Sequence, residues 1–397
     1  MSKIPKLRFP EFKDDWTEVK LGKIATFFSG GTPTSSNKRY YGGNIPFIGS
    51  GKISANSVDQ YITEEALKNS SSKLVNKGDL LYALYGATSG EVAISKLDGA
   101  INQAVLCIRS QEETYFLLQW LLLNKESILN TYLQGGQGNL SAQIIKSLML
   151  NLPKIPEQTK IATFLTAIDN KIDQLTKKKT LLNQYKKGVM QKLFSQELRF
   201  KADDGNEFSD WEEKTLGEIA TFTKGKGISK ADIAQDGSIE CVTYGELYTT
   251  YSEAIRDIKS KTNLEVNQLV LSEYNDVLIP ASGETQIDIA TASCILKSNV
   301  ALGGDLNIIK SKMNGVFLSY YLNNNKKNDI AKLTQGVSVV HLYATQLKTL
   351  QLTLPSLDEQ IKIANFLLSI DAKINLVIKQ FDATKQFKKA LLQQMFV

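Results

Sequence analysis

Residues 157–172 read Glu157-Gln158-Thr159-Lys160-Ile161-Ala162-Thr163-Phe164-Leu165-Thr166-Ala167-Ile168-Asp169-Asn170-Lys171-Ile172. The same frame returns at an offset of 202 as Glu359, Gln360, Lys362, Ile363, Ala364, Phe366, Leu367, Ile370, Asp371, Lys373 and Ile374, with Pro153 and Pro355 in step. From Ile161 the apolar positions continue through Leu165, Ile168, Ile172, Leu175, Leu182, Val189 and Leu193. Steps of three, four and seven make a heptad stripe and predict a long helix. The second copy runs Ile363, Leu367, Ile370, Ile374, Val377, Phe381, Leu391 and Met395. Lys179 and Lys186 interrupt the first stripe, Thr384 and Lys388 the second. Pro156 precedes the first helix and Glu157 opens it, as suits a first turn. Each helix of nearly forty residues is about 55–60 Å long at ~1.5 Å per residue. Such a stripe needs a partner, and the other copy's stripe is the obvious one.

The repeat extends outward from these helices. Trp16, Leu21, Gly22, Ile24, Ala25, Thr26 and Phe27 recur at an offset of 195 as Trp211, Leu216, Gly217, Ile219, Ala220, Thr221 and Phe222. Leu7-Arg8-Phe9 recurs as Leu198-Arg199-Phe200. Two copies are too few for a solenoid, so the chain reads as a pseudo-two-fold repeat of one module. Within each copy, short runs rich in Val, Ile, Tyr and Phe alternate with Gly, Ser and Asn, which predicts α/β (α+β) heads. Strands are expected at residues 79–85, 104–108 and 277–280, and a core helix at 115–129 with a counterpart from 316. The division is a first head, 1–155; a first long spacer helix, 156–197; a second head, 198–355; and a second spacer helix, 356–397.

Composition narrows the function. The 397 residues are 42% hydrophobic and 22% charged, ordinary values for globular domains. Net charge is +6, which permits nucleic-acid binding without establishing it. The only arginines are Arg8, Arg39, Arg109, Arg199 and Arg256, so few residues can grip guanine in two-pronged fashion. Cys107, Cys241 and Cys294 match neither zinc nor disulfide spacing and suit a reducing compartment. The basic start lacks an apolar run, no stretch is long enough to span a bilayer, and a cytoplasmic location is expected. His341 is the single histidine, which excludes chemistry that needs paired imidazoles.

Catalytic patterns are missing. No GxxxxGK[ST] phosphate loop occurs, nor any Pro-Pro of the kind that marks methyltransferase catalytic loops. Glu212-Glu213-Lys214 is faintly nuclease-like but reads as a solvated charge run.

Taken together, the layout W-x4-L-G-x-I-A-T-F, a variable head, then L-P-x4-Q-x-K-I-A-x-F-L-x2-I-D and a heptad helix, given twice, resembles the specificity subunit of type I restriction–modification enzymes. Tyr85 to Gly90, Asn102-Gln103, Ser282-Gly283-Glu284 and Gly303-Gly304 also resemble that family's target-recognition domains. The resemblance implies a non-catalytic DNA-reading subunit. Each head would read one half of a split site in double-stranded DNA. The helices would pair as an antiparallel coiled coil, set the gap and bind two modification (methyltransferase) subunits. No cofactor would be bound by this chain: S-adenosylmethionine, for adenine-N6 methylation, and ATP and Mg would sit on the modification and restriction subunits.

Comparison of the two copies separates roles. Shared residues, Trp16, Gln158 and Phe164 with Trp211, Gln360 and Phe366, are candidates for scaffold or for contacts to equivalent partners. The heads differ elsewhere, which predicts two unlike half-sites. The candidate DNA contacts in the first head are Thr32, Lys38, Arg39, Tyr40, Lys52, Lys73, Thr88, Ser89, Gln137 and Asn139. In the second they are Lys224, Lys226, Lys230, Tyr244, Tyr248, Ser282, Glu284, Thr285, Ser338 and His341. Arg39 suits guanine, Gln137 or Asn139 adenine, Glu284 the cytosine amino group, and the lysines phosphate. The alternatives are a stand-alone DNA-binding protein and a two-headed protein scaffold. A steep loss of binding with salt marks the DNA readers.

Overall fold

The computed structural model describes residues 4–132, 139–336 and 339–397. The chain divides into two units, residues 1–176 with 379–397, and residues 177–378. Each unit therefore contains one head, part of the first long helix, Ile155–Phe194, and part of the second, Leu357–Met395. Pro156 lies inside the first turn rather than before it, where its missing N–H leaves no bond unmade.

In the first unit the strands Ala25–Ser29, Val105–Ser110, Leu80–Ala83 and Val92–Ile94 form one sheet, in that order, with every pair antiparallel. A second sheet orders Tyr61–Ile62, Tyr41–Ile48, Gly99–Ile101 and Lys73–Val75, and its middle pair is parallel. The expected core helix exists but breaks at Asn124 into Thr114–Leu123 and Lys125–Tyr132. The Asn124 backbone and side-chain amides both donate to the Trp120 carbonyl, at 3.1 and 2.9 Å, and this caps the first piece. Phe116 to Leu121 are buried almost all round, so the helix is core. Ile161, Leu165 and Ile168 of the first long helix join this core, as do Leu391, Met395 and Phe396 from the end of the second. The heptad stripe is thus covered by its repeat partner and by the head.

The second unit repeats the plan. Ala220–Lys224, Leu306–Ser311, Val277–Pro280, Ser293–Ile295 and Ala254–Ile255 form its larger sheet. A three-stranded sheet holds Ser260–Thr262, Ile239–Val242 and Ala301–Leu302. The register is the same in both heads. Leu80 faces Ile108 in the first, and Val277 faces Ile309 in the second. Ile363, Leu367, Ile370 and Ile374 pack with Met190, Leu193 and Phe194 in one core. Among the described residues, no helix is long and apolar enough to cross a membrane, and no cluster of metal-ligating side chains occurs.

Candidate nucleic-acid interface

Each head is framed by the same clasp. The strand after the tryptophan pairs with the strand before the long helix: Thr17–Lys20 with Met149–Leu152, and Glu212–Thr215 with Gln351–Leu354. Glu157, 2% exposed, accepts both prongs of Arg8 at 2.7 and 2.8 Å and the Trp16 indole N–H at 3.3 Å. Glu359 does the same for Arg199, at 3.1 and 2.8 Å, and for Trp211, at 3.2 Å. The Glu157 carboxylate raises the Arg8 pKa above its ordinary value, chiefly through this hydrogen bonding. The neighbouring glutamines are the second joint. Gln158 donates to the Pro153 carbonyl at 2.8 Å and accepts from the Glu113 N–H at 3.0 Å, just where the core helix begins. Gln360 makes the matching bonds to Pro355 and Asn314 at 2.9 and 3.1 Å.

Trp16, Gln158, Trp211 and Gln360 are buried and hydrogen-bonded inside their own unit, an arrangement that suits the scaffold alternative. Phe164 and Phe366 are half-buried, edge-on to Phe9 and Phe200 at centroid distances of 5.8 and 5.4 Å, and keep some surface. Glu212 and Lys214 pair with each other on an exposed strand, so the nuclease-like triplet is a solvated edge.

In the first head the candidate readers fall into groups. Thr32 donates to Gln103 at 2.7 Å, and Ser72 donates to the Gly31 carbonyl at 2.6 Å, which brings exposed Lys73 to the same rim. Lys38 and Arg39 are exposed on a single 3-10 turn capped by Asn37, while Tyr40 packs half-buried against the core of the second sheet. Lys52 is exposed and paired with Asp59 at 2.9 Å. Thr88 and Ser89 lie half-buried in the turn 86–90, and Ser89 donates to the Leu84 carbonyl. The Leu140 N–H donates to that same carbonyl at 3.0 Å, which sets Asn139 beside the turn.

In the second head the candidates converge. Gly227, Lys230, Tyr244, Glu246, Tyr248 and Asp305 are among the residues lining a cleft of about 1000 Å³. Burial, then Tyr244, Glu284 and Asp288, holds the Tyr248 phenol above its ordinary pKa, which places Glu284 within electrostatic reach of the cleft. Beside it, Ser282 pairs in register with His341. His341 stacks on Tyr343 at 6.1 Å, and Lys224 stands 5.7 Å over the same Tyr343 ring. Lys226 is exposed next to the cleft wall. Ser282 is 7% exposed within its strand pair, and Thr285, exposed, caps the short helix Gln286–Ile289. Gln137 and Ser338 lie outside the described residues.

Gln103, Tyr343 and Asp305 stand beside these candidates without being among the contacts expected from the sequence. Gln103 follows Asn102 between two apolar strands, and Tyr343 lies two residues beyond His341, just past the end of its strand; both signals were available. Asp305 gave none.

The sequence pattern of the family described as "Type I restriction modification DNA specificity domain" matches residues 13–184 and again 208–382. The MjaVIII specificity subunit of a type I restriction enzyme from Methanocaldococcus jannaschii is 26% identical, over 97% of this chain and 92% of that protein. The EcoR124I/EcoR124II specificity subunit of Escherichia coli is 25% identical over 43% of this chain and 44% of its own. The crystal structure of a type I restriction–modification S subunit from M. genitalium aligns with a TM-score of 0.64 at 16% identity, over 99% of both chains. With the pattern present twice and covering most of the sequence, the chain belongs to the type I restriction–modification DNA specificity family.

Proposed function

We propose that this chain is the non-catalytic DNA-recognition subunit of a type I restriction–modification complex, in which each head reads one half of an asymmetric bipartite site. One observation carries the reading: identical clasps hold two heads whose exposed loops differ. Partners that recognise the frame meet the same surface twice, whereas DNA meets two different ones. Lys38, Arg39, Lys73, Thr32 and Asn139 serve the first half-site. Lys224, Lys226, Lys230, Tyr244, Tyr248, Glu284 and His341 serve the second. The lysines hold phosphate, and the polar tips read base edges. The long helices set the gap, and with Phe164 and Phe366 they engage two modification subunits. S-adenosylmethionine belongs to those subunits, ATP and Mg to the restriction subunits, and the complex works in the cytoplasm.

The test is co-expression with the cognate modification subunit and genome-wide mapping of N6-methyladenine. A split, asymmetric motif of fixed gap is expected, and replacing either head should change one half alone. A stable complex that binds duplexes without sequence preference would overturn the reading. Arg39→Ala should weaken recognition of the first half-site by about 5- to 100-fold, the range for one lost base contact, and leave the second unchanged. Equal weakening of both halves would make Arg39 a phosphate or fold residue.

A further inference from the structure

The second-head cleft has three acidic residues on its wall, and only one of them is available to a ligand. Asp232 accepts from the Ser229 N–H and hydroxyl at 2.7 and 2.6 Å. Glu246 accepts from the Thr243 N–H and hydroxyl at 2.8 and 2.9 Å and from the Ser260 hydroxyl at 2.6 Å. Both are turn-closing carboxylates. Asp305 is exposed, and among the described residues nothing donates to its carboxylate.

In the first head the equivalent corner carries no carboxylate. The Asp305 carbonyl accepts from the Ala281 N–H at 2.7 Å, and in the first head the Ala104 carbonyl accepts from the Leu84 N–H at 2.8 Å. These bonds are equivalent, because the strands on either side share one register: Ile279 faces Asn307 as Tyr82 faces Leu106. The first head builds the corner with alanine. The second builds it with an aspartate in the left-handed region, φ +57°, which a residue other than glycine adopts at some energetic cost. Around Asp305 stand Lys230, Tyr244 and Tyr248, a cation and two aromatic rings on the same cleft. Lysine holds the anionic backbone, whereas a bare carboxylate repels phosphate and suits only a donor on a base edge.

We infer that Asp305 is a specificity-determining residue of the second head, accepting a hydrogen bond from an exocyclic amino group, cytosine N4 or adenine N6, in the half-site read there. This rests on the DNA-reading function proposed above. The first head, with Ala104 in the same place, lacks that contact.

The experiment is selection of duplexes randomised in the second half-site by the full chain in complex with its modification subunits, using wild type, Asp305→Ala and Asp305→Asn. Wild type should select a cytosine or adenine at one fixed position. Asp305→Ala should lose preference there by about 5- to 100-fold and keep every other position, including the whole first half-site. Asp305→Asn tolerates the left-handed backbone and controls for folding. A second arm replaces the selected adenine by purine, or the selected cytosine by 2-pyrimidinone, so that the amino group alone is removed. Wild-type affinity should fall and that of Asp305→Ala should not fall further, and the arm that responds names the base. If wild type is selective and Asp305→Ala selects the same sequence as stringently, or if affinity shifts alike for all sequences, this inference fails alone. If wild type selects no sequence, the underlying reading fails with it.

Discussion

Glu157 shows how much one side chain organises. Its two oxygens hold an arginine 149 residues upstream and an indole 141 residues upstream, so it ties the start of the chain to the first turn of a long helix. Glu157→Ala leaves a buried guanidinium without its partner and should cost about 3–5 kcal/mol, measured by urea unfolding followed through tryptophan fluorescence. A loss under ~1 kcal/mol would mean that the clasp is ornamental. The cysteines make a second prediction at this scale. Burial pushes the Cys107 and Cys294 thiols up to about 12 and Cys241 to about 11, from an ordinary value near 9. The folded state therefore holds these protons longer than the unfolded state does. Their stabilising contribution is complete below pH 9 and is lost as pH rises from 9 towards 12. The unfolding midpoint should fall over that window, while at pH 8 the folded thiols resist alkylation. The Glu-Gln pair was legible in the sequence because it recurs in a periodic frame. Its partners were not, since nothing local connects Arg8 to Glu157. Asp305 was illegible for a related reason: a backbone angle and a missing partner are tertiary facts.

At the scale of elements, the long helices owe their pairing to more than the apolar stripe. Lys388 meets Asp169 at 2.7 Å in the first unit, and Lys186 meets Asp371 at 2.7 Å in the second. Each pair joins one long helix to the other, and a head tyrosine, Tyr115 or Tyr320, donates to the same aspartate. One carboxylate thus fixes both the helix register and the seat of the head. The sequence marked Lys186 and Lys388 as interruptions of the stripe, and the structure shows them to be register devices, as polar residues in coiled coils commonly are. The tyrosines were not legible, because they sit at unlike positions on their helices and only the aspartates repeat. Asp371→Leu should destabilise by about 1–3 kcal/mol, since Lys186 and the Tyr320 hydroxyl both lose an acceptor. Combining it with Lys186→Met should recover part of that, because a well-packed apolar pair can replace a buried ion pair. A double-mutant cycle in urea measures the difference, and strictly additive losses would deny the coupling.

At the scale of the whole molecule, the second unit is coded by one continuous stretch, residues 177–378, and the first is not. The first takes residues 379–397 to complete a core begun by 1–176. A fragment of residues 1–197 lacks Leu391, Met395 and Phe396, but it carries their repeat equivalents Val189, Leu193 and Phe194. It should therefore assemble as a dimer, each copy closing the other's core, and sedimentation equilibrium would show it. A folded monomer with undiminished stability would contradict the two-helix closure.

The repeated clasp also has a hereditary consequence. Residues 157–172 and 359–374 are matching joints in one chain, placed where a head ends and its spacer begins. A crossover between two such genes at a joint transfers an entire head, and the progeny chain inherits glutamate, glutamine, arginine and tryptophan already fitted to one another. A lineage built this way acquires a new target in one genetic event, without passing through misfolded intermediates.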